Sequence, residues 1–314
     1  MSLSSGKSNL EIFGETLLDL ALNDKDIIAV TSDSRGSGQL TKFAHTLPDQ
    51  IVEIGIAEQN LVGVSAGLAA MGKKVFAVSP GSFLSTRALE QIKNDIAYSN
   101  FPVKLIGISS GVSYGASGST HHSTHDCAAL LAISNIDLIV PADNSETRES
   151  LIAALHHSKP VYIRLGRKKM PDFKVAGSNF HIGEGINMRD GSDACIIAAG
   201  ETLWPVVQAS DMLAQQGISC RVVSMHTLRP FDFSMLESIA SSVHAILTCE
   251  EHSLHGGLGS ICASFLLQRR YCLPFGAIGI PDFPIKAGSQ EEVFDFYGLN
   301  ANSIAQKIRQ LLTS

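Results

Sequence analysis

Tryptophan is almost missing from this 314-residue chain, at one residue, and aromatics together reach only 6%. Cysteine is sparse too: Cys127, Cys195, Cys220, Cys249, Cys262 and Cys272 are scattered, and no CxxC pair occurs. That excludes a disulfide frame and a zinc-finger spacing. Most of these thiols fall inside apolar runs and read as buried groups of a reducing compartment. Charged residues are 17%, with Lys+Arg 24 against Asp+Glu 30 and a net charge of −6, and no basic run stands out. A nucleic-acid or membrane-surface role has no electrostatic footing. No stretch reaches the roughly 18 uninterrupted apolar residues that a bilayer span needs, and residues 1–7 are polar and serine-rich, unlike a secretory signal. What the chain does have is 45% apolar residues, enough for a packed core, so disorder is excluded. The expectation is a cytoplasmic globular protein. At roughly 150 residues per domain, it should have two domains.

Short apolar runs alternate with helical periodicity. Leu10, Phe13, Leu17 and Ala21 recur at helical spacing. Strands are then expected at 27–30, 51–54, 74–78, 103–108, 138–140 and 161–165, with helices at 58–71, 85–99, 123–133 and 145–156. Ser123 stands three residues before Asp126, a variant of the capping box. The rhythm breaks over 166–191, where Lys, Arg, Pro171 and glycines collect, and this is the linker candidate. It restarts with strands at 194–199, 221–224, 245–248 and 275–280 and helices at 202–216, 234–240, from Gly259 to about 267, and 303–312. Buried strands alternating with helices mean a parallel sheet covered on both faces. The fold class is α/β with two doubly wound domains, 1–172 and a smaller Rossmann-like 191–314, joined by 173–190.

Four features could carry chemistry. Gly55-Ile56-Ala57-Glu58-Gln59-Asn60 turns a strand end into a helix start. There the helix dipole favours an ionised acid, whereas burial opposes it. An ordinary helix-start glutamate is the bland alternative. The helix that follows carries Gly63, Ser65, Ala66, Gly67, Ala69 and Ala70 and is nearly bare of bulk, which suits close packing in a subunit interface. The loop 114–126 holds His121, His122, His125 and Asp126. Such a cluster could bind a metal, but His121 lies ahead of the expected helix, so a shared ligand face with His125 is doubtful. Histidines in a glycine-rich loop at the carboxyl end of a parallel strand are better placed to touch a substrate. Pro80-Gly81-Ser82-Phe83, followed by Arg87, is another strand-to-helix turn. Lastly, Glu250–Gly259 contains Gly256-Gly257-Leu258-Gly259 but lacks the GxGxxG order of a dinucleotide loop.

Taken in register, the stretch 53–60, the loop Gly118-Ser119-Thr120-His121, the segment 250–259 and the tail Gly279-Ile280-Pro281-Asp282 resemble the C-terminal half of transketolases and 1-deoxyxylulose-5-phosphate synthases. The resemblance covers residues 8–312. It implies a pyrimidine-binding domain and a transketolase C-terminal domain. The domain that binds diphosphate and metal is marked by Gly-Asp-Gly followed after about thirty residues by Asn-Asn, and no counterpart occurs here. The chain therefore resembles the smaller subunit of a split transketolase. The resemblance implies thiamine diphosphate as cofactor, with Mg2+ ligands supplied by an N-terminal, diphosphate-binding partner in an α2β2 particle, and none by this chain. It also implies transfer of a two-carbon ketol unit from a ketose to an aldose.

Roles carry over by resemblance. Glu58 matches the carboxyl that hydrogen-bonds pyrimidine N1′ and drives activation of the cofactor. Phe83 matches the aromatic stacked on the pyrimidine, with Arg87 nearby, and Asp33 the acid beside the thiazolium. His121 matches the substrate-facing histidine, with His122 next to it. Arg167 matches the arginine that binds the sugar's terminal phosphate, and a guanidinium fork suits any tetrahedral oxyanion. There are departures. An acid that contacts a donor hydroxyl is replaced by Ser117, a phosphate-binding histidine by Ser109, and a first-helix arginine aligns with Glu11. These changes put xylulose 5-phosphate in doubt as donor and leave room for a branched or sulfonated sugar. Two further readings are a β subunit of a 2-oxo-acid dehydrogenase or a pyruvate-decarboxylating synthase, and an assembly subunit without catalysis.

Overall fold

A computed structural model of the protein describes residues 6–173 and 179–313. Residues 174–178 of the expected linker lie outside the described residues. Twelve strands are found among the described residues. They are β1 (Ile27–Thr31), β2 (Ile51–Glu53), β3 (Lys74–Pro80), β4 (Lys104–Ile108), β5 (Asp137–Ile139), β6 (Val161–Arg164), β7 (Ile186–Arg189), β8 (Ala194–Ala199), β9 (Cys220–Ser224), β10 (Thr227–Arg229), β11 (Ala245–Ser253) and β12 (Phe275–Ile280). β1, β4, β6 and β8 bury every residue, the signature of strands covered on both faces.

Seven strands form the first sheet, in the order β10-β5-β6-β4-β3-β1-β2, and five form the second, β12-β11-β8-β9-β7. Both are parallel except at one edge, where β10 runs antiparallel to β5 and β7 antiparallel to β9. The expected architecture of two wound α/β units is present. The two sheets also share one apolar core: Leu138, Val140 and Tyr162 pack in the same cluster as Ile197, Val223 and Met225.

Three expectations are corrected. β7 lies within the stretch 173–190 expected as a linker, because Ile186 and Asn187 find backbone partners in Ser224 and Val223. β10 comes from the second half of the chain yet completes the first sheet, pairing Thr227 with Ile139. The helix expected at 123–133 spans only Asp126–Leu131 and has no side-chain cap. Ser123 instead pairs with Gly111 through two backbone hydrogen bonds, 2.7 and 3.1 Å. The Asp126 carboxylate turns to the guanidinium of Arg164, a stronger partner than an exposed backbone N–H. The segment 85–99 is likewise divided, into a helix Gly81–Arg87, a short turn and a π-helical stretch Ile92–Tyr98.

In a parallel sheet the carboxyl ends of the strands open onto one edge, where ligands are met. The ends of β1, β3, β4 and β6 lead here into Asp33, Phe83, Ser109 and Arg167 respectively.

Candidate active site

The helix Glu58–Ala70 starts beyond a turn in which Gly55 takes φ +78°, a conformation that costs a residue without Cβ little. Its N-cap, Ala57, has no side chain to offer the free N–H groups of the first turn. A carboxylate at Glu58 is favoured there by the helix dipole. Glu58 is 2% exposed, and its Oε2 accepts a hydrogen bond of 2.7 Å from Arg87 Nη1. A buried charge needs such a partner, since its desolvation is otherwise uncompensated.

From Arg87 a line of contacts runs along the strand ends. The Arg87 guanidinium lies 5.1 Å from the centre of the Phe83 ring. Phe83 meets the His121 ring edge-on at 5.4 Å, and His121 meets Tyr114 in the same way at 5.5 Å. Arg167 closes the line, 5.3 Å over the Tyr114 ring. Edge-to-face rings and cation–π contacts orient their members more than they stabilise them, at about 0.5–1.5 kcal/mol each. Five residues singled out in the sequence thus stand in one row, brought from two strand-to-helix turns, a loop and the segment after β6. Tyr114, the sixth, escaped notice; an aromatic opening the glycine-rich loop was the available signal.

Asp33 sits beside this row rather than in it. It takes φ +52°, and its N–H donates to Glu53 Oε1 at 2.7 Å. The same oxygen accepts from Gly55 N at 3.1 Å, and Glu53 Oε2 takes Arg35 Nε at 3.1 Å. Glu53, unassigned in the sequence, therefore ties the turn after β1 to the turn that leads into Glu58. Ser117 is exposed in the short turn Gly115–Ser117. His122 is the exception among the predicted contacts. It is 2% exposed, its Nε2 is 3.0 Å from the Gly115 carbonyl, and burial lowers its pKa. Its ring braces the loop from inside and does not face the row. Ser109 is fully buried at φ +53°, with no hydrogen-bond partner for its hydroxyl.

Residues 6–172 match the transketolase pyrimidine-binding domain, and residues 183–304 match the transketolase C-terminal domain. The chain belongs to the transketolase family. It is 45% identical over 295 residues to one of the two subunits of the apulose-4-phosphate transketolase of Phocaeicola vulgatus, covering 94% of each chain. It is 31% identical over 302 residues to a 6-deoxy-6-sulfo-D-fructose transketolase subunit of a Clostridium species, covering 96% of this chain and 93% of that one. Among solved structures, a split-gene transketolase in the form of an inactive β4 tetramer matches with a TM-score of 0.90 at 34% identity, over 98% of this chain and 99% of that one.

Transketolase membership implies thiamine diphosphate as cofactor, and the row fits its pyrimidine end. Glu58 offers a buried carboxylate, and Phe83 a ring already held by Arg87 and His121. The competing chemistries lose ground. His121 and His125 both precede the helix Asp126–Leu131, so they do not form a helical ligand pair. Asp126, Cys127 and His252 do bring ligand-type atoms within 4.8 Å of one another. However, Arg164 Nε binds Asp126 at 3.0 and 3.2 Å, and the Ala128 N–H donates to His252 Nε2 at 3.3 Å, so a cation would displace a guanidinium. At Gly256–Gly259 the anion position is filled from within. Glu250 accepts from the N–H groups of Leu258 and Gly259 at 2.7 and 2.8 Å.

Proposed function

We propose that this chain is the pyrimidine-binding subunit of a two-chain transketolase. In this reading it moves a two-carbon ketol unit from an oxyanion-bearing ketose to an aldose in an α2β2 particle. Its units are 1–172 and 191–314 joined by 173–190, with β7 belonging to the second. The observation that carries the reading is the single row from the buried Glu58–Arg87 pair through Phe83, His121 and Tyr114 to Arg167. The relatives named for apulose 4-phosphate and sulfofructose transfer support a donor other than xylulose 5-phosphate. Among the described residues five free thiols are buried, which supports a reducing, cytoplasmic setting.

When bound, thiamine diphosphate supplies the electron sink that lets a bond beside a carbonyl break. The chain's residues do the rest. Glu58 holds the proton exchanged with pyrimidine N1′, and Arg87 fixes its carboxylate. Phe83 gives the pyrimidine a flat neighbour, and Asp33 supplies charge on the thiazolium side. His121 donates to or accepts from the substrate oxygen, while Arg167 and the exposed Ser117 meet the far end of the sugar. The diphosphate and Mg2+ ligands fall to the partner, since the Gly-Asp-Gly…Asn-Asn pattern is missing here.

Reconstitution tests this. The chain is mixed with a candidate partner bearing that pattern, thiamine diphosphate and Mg2+, then given apulose 4-phosphate, xylulose 5-phosphate and 6-deoxy-6-sulfofructose with an aldose acceptor. Ketol transfer from at least one donor, by the mixture and not by either chain alone, is expected. Release of CO2 from pyruvate in its place would overturn the assignment.

A further inference from the structure

Behind the row, two carboxylates from the second half of the chain are buried against the first. Glu251, at the end of β11, and Glu201, after β8, are 3% and 5% exposed. Gln290 joins them: its Nε2 donates to Glu251 Oε1 at 2.9 Å and to Glu201 Oε2 at 3.1 Å. Each carboxylate also presses on a glycine of the first half. A Cβ at Gly111, which has φ +66°, would lie 2.2 Å from the Glu251 carboxyl carbon, and a Cβ at Gly166 would lie 2.2 Å from Glu201 Oε1. The Val112 N–H adds a hydrogen bond of 2.9 Å to Glu251 Oε1.

Those glycines are the roots of the two functional segments. Gly111 pairs with Ser123 and so closes the base of the loop that carries Tyr114 and His121. Gly166 immediately precedes Arg167. Arg164 stands between the two segments, donating to the carbonyls of Ser123 at 3.0 Å and Glu251 at 2.7 Å.

We infer that Glu251 and Glu201, bridged by Gln290, are positioning residues that hold the His121 loop and the Arg167 turn at a set separation. A sugar must reach His121 and Arg167 at once, so their spacing selects the length of donor that fits. The second half of the chain thereby acts on the reaction without touching substrate. The roles of His121 and Arg167 rest on the proposed function; the clamp does not.

Gln290 is half-buried at the start of the helix Gln290–Tyr297, so Gln290→Met keeps the side chain's length and removes the shared donor without threatening the fold. The test is amide hydrogen exchange on the reconstituted complex, alongside steady-state kinetics with apulose 4-phosphate. Peptides covering 111–123 and 165–169 should both exchange about tenfold faster, while the helix Leu203–Ala214 keeps its wild-type rate. Glu251→Gln, which keeps an acceptor for Val112, should leave the 111–123 peptide near wild type. KM for the sugar should rise severalfold with kcat much less affected. Faster exchange at only one root, or equally in the reference helix, overturns the clamp, as does an unchanged KM in an enzyme that turns the sugar over. If the wild-type complex turns over no sugar, the proposed function falls and the exchange data decide the clamp alone.

Discussion

Glu58 and Arg167 stand at opposite ends of one row, and their substitutions should fail in different ways. Glu58→Gln keeps the shape and the hydrogen bond from Arg87 but cannot exchange a proton with N1′. Assembly with the partner should persist while hydrogen–deuterium exchange at cofactor C2 slows by several orders of magnitude, on the order of what loss of a general acid–base group costs. Equal exchange rates would make Glu58 an ordinary helix-start glutamate. Arg167 is exposed, and its role lies in binding. Arg167→Ala should raise KM with little change in kcat, by about 1.5–3 kcal/mol for a lost charged hydrogen bond. Steady-state kinetics with the true donor showing a steady KM would return Arg167 to the surface.

The glycine-rich loop divides its two adjacent histidines between tasks. His121 packs between two ring edges at the mouth, whereas His122 points inward to the Gly115 carbonyl. His121→Ala should lower kcat and leave thermal stability unchanged. His122→Ala should instead loosen the loop, at about 1–3 kcal/mol for a buried acceptor left unpaired; thermal melts separate the two. The strands and the row could be read from sequence because both are local: apolar runs of four to six residues, and motifs placed at strand ends. What escaped was non-local. β10 and β7 are short strands whose partners lie elsewhere in the chain, and neither stands out in a periodicity. The inward turn of His122 and the contact of Glu251 with Gly111 depend on which surfaces meet. The capping expectation at Ser123 failed for the same reason, since Arg164, distant along the chain, binds both the Ser123 carbonyl and the Asp126 carboxylate.

Across the whole molecule, the junction between the halves is acidic and buried. Burial raises the pKa of Glu201 and then the charge of Glu251 raises it further; burial likewise raises that of Glu251, against the pull of Arg164. An acid whose folded pKa lies above its ordinary value near 4.5 binds its proton more tightly when folded. Its contribution to stability is complete below that value and is lost as pH rises through the folded pKa. Stability should therefore decline as the medium passes from mildly acidic to mildly alkaline. Glu201→Gln, which stays neutral, should flatten that decline, and melting temperatures across the range measure it. A wild-type curve that climbs over the same interval would refute the account.

β10 makes the two halves a single mechanical object. The chain leaves the first sheet at β6, builds β7 to β9 and returns to cover the free edge of β5 before going on. During synthesis the first half must wait with that edge bare until residues 227–229 emerge. A fragment ending before residue 190 should accordingly be sticky, since an unpaired edge recruits other strands. A synthetic peptide spanning 225–231, supplied in trans, should seat on β5 and keep that fragment dispersed, as added strands do at open sheet edges. Light scattering with and without the peptide reads this directly. An insertion point for a fused tag therefore belongs at an exposed loop well away from 225–231, because anything that parts this strand from β5 reopens the seam between the halves.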